Sequence, residues 1–494
     1  MTTLKTLLFS LALLAPGALA QELTLAASAQ PDTLDPHATA ATSSFQTLKS
    51  LYDTLLEVNE AGEIVPALAE SWEVSDDGLT LRFTLREGVR FHDGSAFDSA
   101  DVAATLARVQ DEATASPKAA EFETIVTVET PDPRTAVLTL SRPSPALLAS
   151  LASGWGAMLS AEALESGHDY ANEPLGTGPF TLQEWVRDSH LRLERFEDYY
   201  AGAAPLAAVT IRFVQDSAVQ LQGLLAGEFD VIDTVAAADY PTVQNDPALK
   251  LVQNPSGLVL VAALNTRRPY LDDPRVRQAL NYAVDKDVVL EVAYGGGTPV
   301  GTFMEAASPW YPAGLEPYAY DPERARQLLA EAGVPEDWRL DIALPQPYES
   351  HIQAGQIVQD MLGEVGVASD IRVVEWGVWL GEIYGGERDF DLTVVGHTGK
   401  LDPTGRLGGY GDPEENYVGY DSARVREALA EAAATSDPEA RQSLYAEVLQ
   451  TMREDAPFLY FGTPYTTYAQ RANVSGFWMT PLLDSFDYRS VTLE

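Results

Sequence analysis

Residues Ala67 to Val109 read ALAESWEVSDDGLTLRFTLREGVRFHDGSAFDSADVAATLARV. Leu79, Leu81, Phe83 and Leu85 alternate with Thr80, Arg82, Thr84 and Arg86, the period-two pattern of a strand with one face buried. Asp77-Gly78 before this run and Asp93-Gly94 after it are turn dipeptides. The stretch therefore reads as strand, turn, strand, turn, and then a helix from about Ser99, with Ser99 as its cap.

Outward from this stretch, strand-like and helix-like segments alternate. Three helices carry one start signal, an Asp N-cap followed by Pro at the first helical position. Asp273-Pro274 precedes Val276, Ala279, Leu280, Ala283 and Val284; Asp321-Pro322 precedes Ala325, Leu328, Leu329 and Ala332; Asp437-Pro438 precedes Ala440, Leu444, Val448 and Met452. Val209 to Val214, Ser217 to Leu225 and Phe229 to Ile232 read as strand, helix, strand. That is a βαβ crossover, which implies parallel strands. The fold class is α/β, in two lobes.

The first twenty residues read as a secretory signal: Lys5, the apolar run Leu7 to Leu14, and the small-x-small pattern Ala18-Leu19-Ala20. The run is too short to cross a hydrocarbon core of about 30 Å. With no cysteine in the chain, a lipid-modified cysteine, disulfides and thiolate metal sites are excluded. The expectation is an unanchored periplasmic protein. Its 494 residues exceed a single core and suit two or three domains. With 73 acidic against 32 basic residues and a net charge of −41, nucleic acid and anionic membranes are excluded as partners. The acids are spread along the whole chain, the pattern of a solvated acidic shell; a field that draws in a cationic ligand is the other reading.

Catalytic motifs are missing. There is no Gly-x-Ser-x-Gly elbow and no His-Glu-x-x-His pair. Gly399-Lys400 is followed by Leu401, which spoils a phosphate loop, and Gly295-Gly296-Gly297 reads as a flexible loop. The six histidines have no metal-ligand spacing. The expectation is a protein that is not an enzyme and uses neither cofactor nor metal.

Ala67-Leu68-Ala69-Glu70-Ser71-Trp72, Ser75 to Gly78, Leu81 to Gly94 and Ala100-Asp101-Val102 closely resemble the signature region of the family 5 extracellular solute-binding proteins. These are the peptide and nickel receptors of bacterial ABC importers. Pro31 to Pro36, Leu175 to Phe180, Arg195 to Tyr200, Leu264 to Thr266, Asp273 to Val284, Phe390 to Leu392 and Asp402-Pro403 extend the resemblance over nearly the whole chain. It implies a bilobal class II periplasmic-binding-protein fold with an extra subdomain in the first lobe. Residues 21–260, completed by 469–494, would form the first lobe, 46–170 its extra subdomain and 261–468 the second lobe. The implied function is capture of a peptide or peptide-like polar solute, delivered by a monomer to the permease subunits of an importer and their cytoplasmic ATPases. An oligosaccharide or other non-peptide ligand is the alternative within the family. A secreted hydrolase or a chaperone-like peptide binder is the alternative outside it.

In peptide receptors that this chain resembles, an Asp shortly before the Asp-Pro pair holds the peptide ammonium. Here the run is Gly396 to Pro403, and Gly399 or Lys400 stands in that place. Val394 stands near the position of an upstream Arg that some members use for the peptide carboxylate. The usual grip on peptide ends therefore does not carry over. The candidate ligand-binding residues are Thr42, Ser43, Ser44 and Phe45 in the first lobe, and Trp376, Trp379, His397, Thr398 and Asp402 in the second. Trp376 and Trp379, three apart, read as a stacking wall or as a core stripe. Thr42 and the serines read as ligand contacts or as caps of the following helix. Lys400 and Arg406 read as solvated charges, or as cations that could meet an anionic group of the ligand.

Overall fold

The alternation quoted above forms the middle of a four-stranded antiparallel sheet. In this computed structural model, which describes residues 21–346, 348–435, 437–479 and 485–494, Thr80–Leu85 pairs with Ala69–Val74 on one side and Thr135–Leu140 on the other, and Ile125–Asp132 follows as an edge. The secretory signal expected at residues 1–20 lies outside the described residues. Leu81, Phe83 and Leu85 are buried together with Ala136, Leu138 and Leu140 from the neighbouring strand, as a period of two requires. The helix that follows, Ser99–Gln110, is capped by Asp98 and not by Ser99. Asp98 accepts from the Ala100 amide, and Asp101 reaches back to the Asp98 amide in a capping box. The Ser99 hydroxyl is spent on the Asp132 carbonyl.

The central sheet has twelve strands and is mixed. Glu22–Ala27 runs parallel to both Ala208–Phe213 and Val231–Ile232 and lies between them. The expected βαβ crossover through Ser217–Ala226 thus exists, with the first strand of the protein inserted between its two strands. Farther along the sheet, Arg339–Gln346 is parallel to Ala368–Glu375 and to Leu392–His397. Phe458–Arg471, 14 residues long, belongs to both halves. Its start pairs with Val259–Leu264, and Tyr465 to Arg471 pair with Leu249–Pro255.

Val259–Leu264 is buried along its whole length, so its two faces separate two cores. Val259, Val261 and Ala263 pack with Phe303, Tyr417 and Phe458. Leu260, Ala262 and Leu264 pack with Leu280, Leu344 and Val358. The Asp-Pro helices Pro274–Ala283, Pro322–Glu331 and Pro438–Asp455 all start where expected, each with its Asp side chain accepting a backbone amide. The Gly295-Gly296-Gly297 triplet is not a flexible loop. Gly295 (φ 73°) ends the helix Lys286–Tyr294, Gly296 (φ 116°) turns the chain, and Gly297 starts a strand on Thr463 and Pro464. Both positive angles favour glycine. Among the described residues no helix is long and apolar enough to cross a membrane.

Candidate functional site

A cavity of about 410 Å³ opens where the long strand Phe458–Arg471 passes between the two halves of the sheet. One wall comes from Ala40, Thr42, Phe45, Lys118 and Trp155, the other from Thr398, Gly399 and Lys400, and the floor from Ser256 to Leu258 and Pro464 to Thr466. Thr42 and Phe45 stand three apart on the helix Thr42–Leu51, and so share a face. The Phe45 ring meets Trp155 edge-on, with centroids 5.7 Å apart. Lys118 places its ammonium 4.6 Å from the centroid of the same indole. The indole Nε1 of Trp155 is buried without a partner among the described residues.

The opposite wall begins at His397, the last residue of the strand Leu392–His397, directly across from Val259. A Cβ on Gly399 would lie 2.8 Å from the Gly257 carbonyl oxygen, so only glycine lets this loop approach the floor. Arg406, on the short helix after the loop, donates from Nη2 to the Thr398 carbonyl at 2.9 Å and pins the loop from behind. The same nitrogen lies 3.0 Å from Glu305, and both side chains are almost completely enclosed. Arg406 is therefore a buried, paired charge and not the solvated one its sequence context suggests. Nε and Nη1 of Arg406 are buried without a partner among the described residues.

Thr398 and Lys400 also border a second cavity of about 390 Å³ that runs to Phe303, His397, Arg406, Tyr410 and Tyr417. His397 Nε2 and the Tyr417 hydroxyl share a hydrogen bond of 2.9 Å. Burial pushes the His397 ring down to about 3, with the charge of Arg406 adding to the effect, so the ring is neutral at physiological pH. Burial likewise raises Tyr410 and Tyr417, so both remain hydroxyl donors. The Lys400 ammonium is lowered by burial first and then by the positive charge of Lys118. The site offers hydroxyls, a neutral imidazole, aromatic faces, cations and the carboxylate of Glu415.

The candidates chosen from sequence divide between these cavities and the framework. Thr42, Phe45 and Thr398 line the first cavity, and His397 and Thr398 the second. Ser44 is buried with its hydroxyl on Asp32, and Ser43 lines neither cavity. Neither serine caps the helix, whose N-cap is Ala41 without a side-chain bond. Trp379 is a core residue, 2% exposed, with Nε1 donating to the Thr393 hydroxyl at 2.9 Å. Trp376 stacks on it, with centroids 5.0 Å apart, and meets Tyr348 edge-on. The core-stripe reading thus describes this pair, and neither indole lines either cavity. Asp402 is held in a buried ion pair with Arg441 and accepts the Thr404 amide at 2.9 Å. It borders a separate groove of about 410 Å³ with Trp310 and Arg441. Sequence reasoning missed Lys118, Trp155, Tyr465 and Tyr417, which carry no local motif; Lys118 and Trp155 reach the site only through tertiary folding.

Residues 63–418 match the model of the family described as bacterial extracellular solute-binding proteins, family 5 Middle. Over 478 residues the chain is 30% identical to the glutathione-binding protein GsiB of Salmonella paratyphi A, covering 94% of this chain and 93% of that one. It is similar to the solved structure of HbpA2 from Haemophilus parasuis, with TM-score 0.88 and 27% identity over 96% of this chain and 100% of the other. DppA from Helicobacter pylori, solved in complex with the peptide STSA, superposes with TM-score 0.73 and 27% identity, over 96% of this chain and 98% of that one.

Proposed function

The chain belongs to the bacterial extracellular solute-binding proteins of family 5, and from that premise we propose that it is a periplasmic receptor that captures a small peptide or peptide-like polar solute in the cleft between two lobes. The single observation that carries this reading is the cavity of about 410 Å³, bounded by Phe45 and Trp155 on one side and by Thr398 to Lys400 on the other. A ligand that fills it touches both walls at once. It therefore favours the closed arrangement in proportion to the contacts that only closure completes. The lobes of this reading are residues 21–260 with 469–494, and 261–468. The floor of the cavity lies at 256–258 and 464–466, next to the proposed boundaries, where a hinge belongs. The closed form is what the permease subunits receive, with transport driven by their cytoplasmic ATPases.

The protein is proposed to act as a monomer, exported by its first twenty residues, and to bind its ligand without transforming it. Relatives named for glutathione and for a bound peptide support a ligand of a few residues. The polar lining of His397, Thr398, Asn416 and Tyr417 supports hydrogen bonding to main-chain-like groups. Thermal unfolding of the protein from Gln21 onward, with short peptides, glutathione and oligosaccharides in turn, tests this. A receptor is stabilised by RT ln(1 + [L]/Kd), about 2.7 kcal/mol at a hundredfold excess over Kd. Stabilisation by oligosaccharides alone would move the ligand to the other class within the family. Product formation without stabilisation would overturn the receptor reading.

A further inference from the structure

We infer that the cleft selects a ligand with net negative charge, one acidic group of which is held between Lys118 and Lys400 as the two walls close on it. This deepens the receptor reading and rests on it. The chain has 73 acidic residues against 32 basic ones, so a random patch of its surface carries more carboxylates than cations. The interlobe cavity inverts that balance: among the described residues its lining includes Lys118 and Lys400 and no carboxylate. These are two of only six lysines in the whole chain.

The two ammonium groups come from opposite walls, and neither has a carboxylate partner among the described residues: Lys118 rests on the Trp155 ring, and Lys400 stands in the loop after His397. Burial disfavours the charge on Lys400, and the nearby Lys118 ammonium adds to that cost. Exposed Glu121 offsets part of this. Two unpaired cations facing one another are unfavourable, and an anion placed between them converts repulsion into two charge-assisted contacts. Because one cation belongs to each wall, that gain is complete only when the walls approach, so the anion itself drives closure. The adjoining cavity does not extend this positive lining: it carries Glu415 beside Lys400 and Arg406, and Arg406 is matched by Glu305.

Calorimetric titration with matched pairs tests the inference: the peptide Ala-Glu-Ala against Ala-Gln-Ala, and maltobionate against maltose. The acidic member of the pair that binds should have a Kd lower by on the order of tenfold to a hundredfold. Lys118→Gln and Lys400→Gln should each remove most of that preference, while Lys250→Gln, remote from the cavity, should keep it. The unliganded Lys400→Gln protein should unfold at no lower temperature than the parent, since it loses a repulsion. Equal or tighter binding of the neutral members would overturn the inference and leave the receptor reading standing. A preference that survives both lysine variants would overturn the assignment to these residues. If no member of either pair binds, the receptor reading fails for these ligand classes and the inference falls with it.

Discussion

Arg441 points Nη2 at both carboxylate oxygens of Asp402, at 2.9 and 3.0 Å, and the two side chains are nearly sealed from solvent. Arg441 also lies over the rings of Trp310 and Tyr445, so the pair locks the start of the helix Pro438–Asp455 to the loop that leaves the binding site.

Asp402→Ala is expected to destabilise the protein by about 3–5 kcal/mol, because it leaves a buried guanidinium without its counter-charge. Urea denaturation measures this. Ligand affinity of the folded fraction should change by less than about twofold, well under the tenfold that 1.4 kcal/mol represents. Unchanged stability with lost affinity would place Asp402 in the ligand site.

The two indoles Trp155 and Trp379 should respond in opposite ways. Trp379→Ala opens a cavity in the core and should cost about 3–5 kcal/mol. Trp155→Ala should cost less stability, because its ring is only half-buried, but should weaken ligand binding on the order of tenfold through loss of its aromatic face. Paired denaturation and calorimetry separate these outcomes. If both variants lose stability equally and Trp155→Ala binds normally, Trp155 is not part of the wall.

Stability should fall on acidification between about pH 6.5 and 4. Burial holds His37, His92 and His351 near 4 and His397 near 3, against an ordinary value of 6.5. In this window the unfolded chain binds protons that the folded chain refuses, so stability rises with pH. Buried Asp53, raised to about 7, acts in the opposite sense, as do Asp101, Asp233 and Asp391, also raised by burial, so the net fall is smaller than the four histidines alone would give. His37 is neutral with Nε2 facing the Ala157 carbonyl at 3.2 Å and Nδ1 facing the Arg108 guanidinium at 3.0 Å. His37→Gln should flatten the slope of urea midpoint against pH. A slope unchanged in that variant would remove His37 from the set.

Gly178→Ala should be poorly tolerated, since its Cβ would fall 2.5 Å from the Leu51 carbonyl carbon and 2.6 Å from the Ser50 oxygen. Overpacking against backbone costs about 1–3 kcal/mol or more. Gly88→Ala meets nothing within 4 Å and carries only the strain of its φ of 76°, about 1–2 kcal/mol. Thermal unfolding of the two variants should rank them in that order; the reverse order would mean that the contact of Gly178 with the end of the helix Thr42–Leu51 is looser than described.

Local chemistry decides local structure, and this is why much of the architecture was legible in advance. An Asp side chain reaches the amide two or three residues on, and Pro presets the first helical φ, so Asp273, Asp321 and Asp437 announce their helices without help from the fold. Leu81, Phe83 and Leu85 declare their strand because side chains alternate across a sheet wherever it lies. The family follows from the density of such signals between Ala67 and Val102. The order of strands does not: Glu22–Ala27 enters between two strands about 190 and 210 residues later in the chain, a choice made by burial on both faces.

The sequence by itself determined the α/β class and the family, and pointed to His397 and Thr398, which border the cavities. Only the tertiary structure decided which side chains are walls and which are framework. Trp379 and Asp402 looked like ligand contacts but are consumed by Thr393 and Arg441. Lys118 and Trp155 looked like nothing in particular and stand opposite Lys400. The reason is range: a cap or an alternating strand is settled within a few residues, whereas the charge and access of a side chain depend on what the fold brings against it from other elements, near or far in the chain.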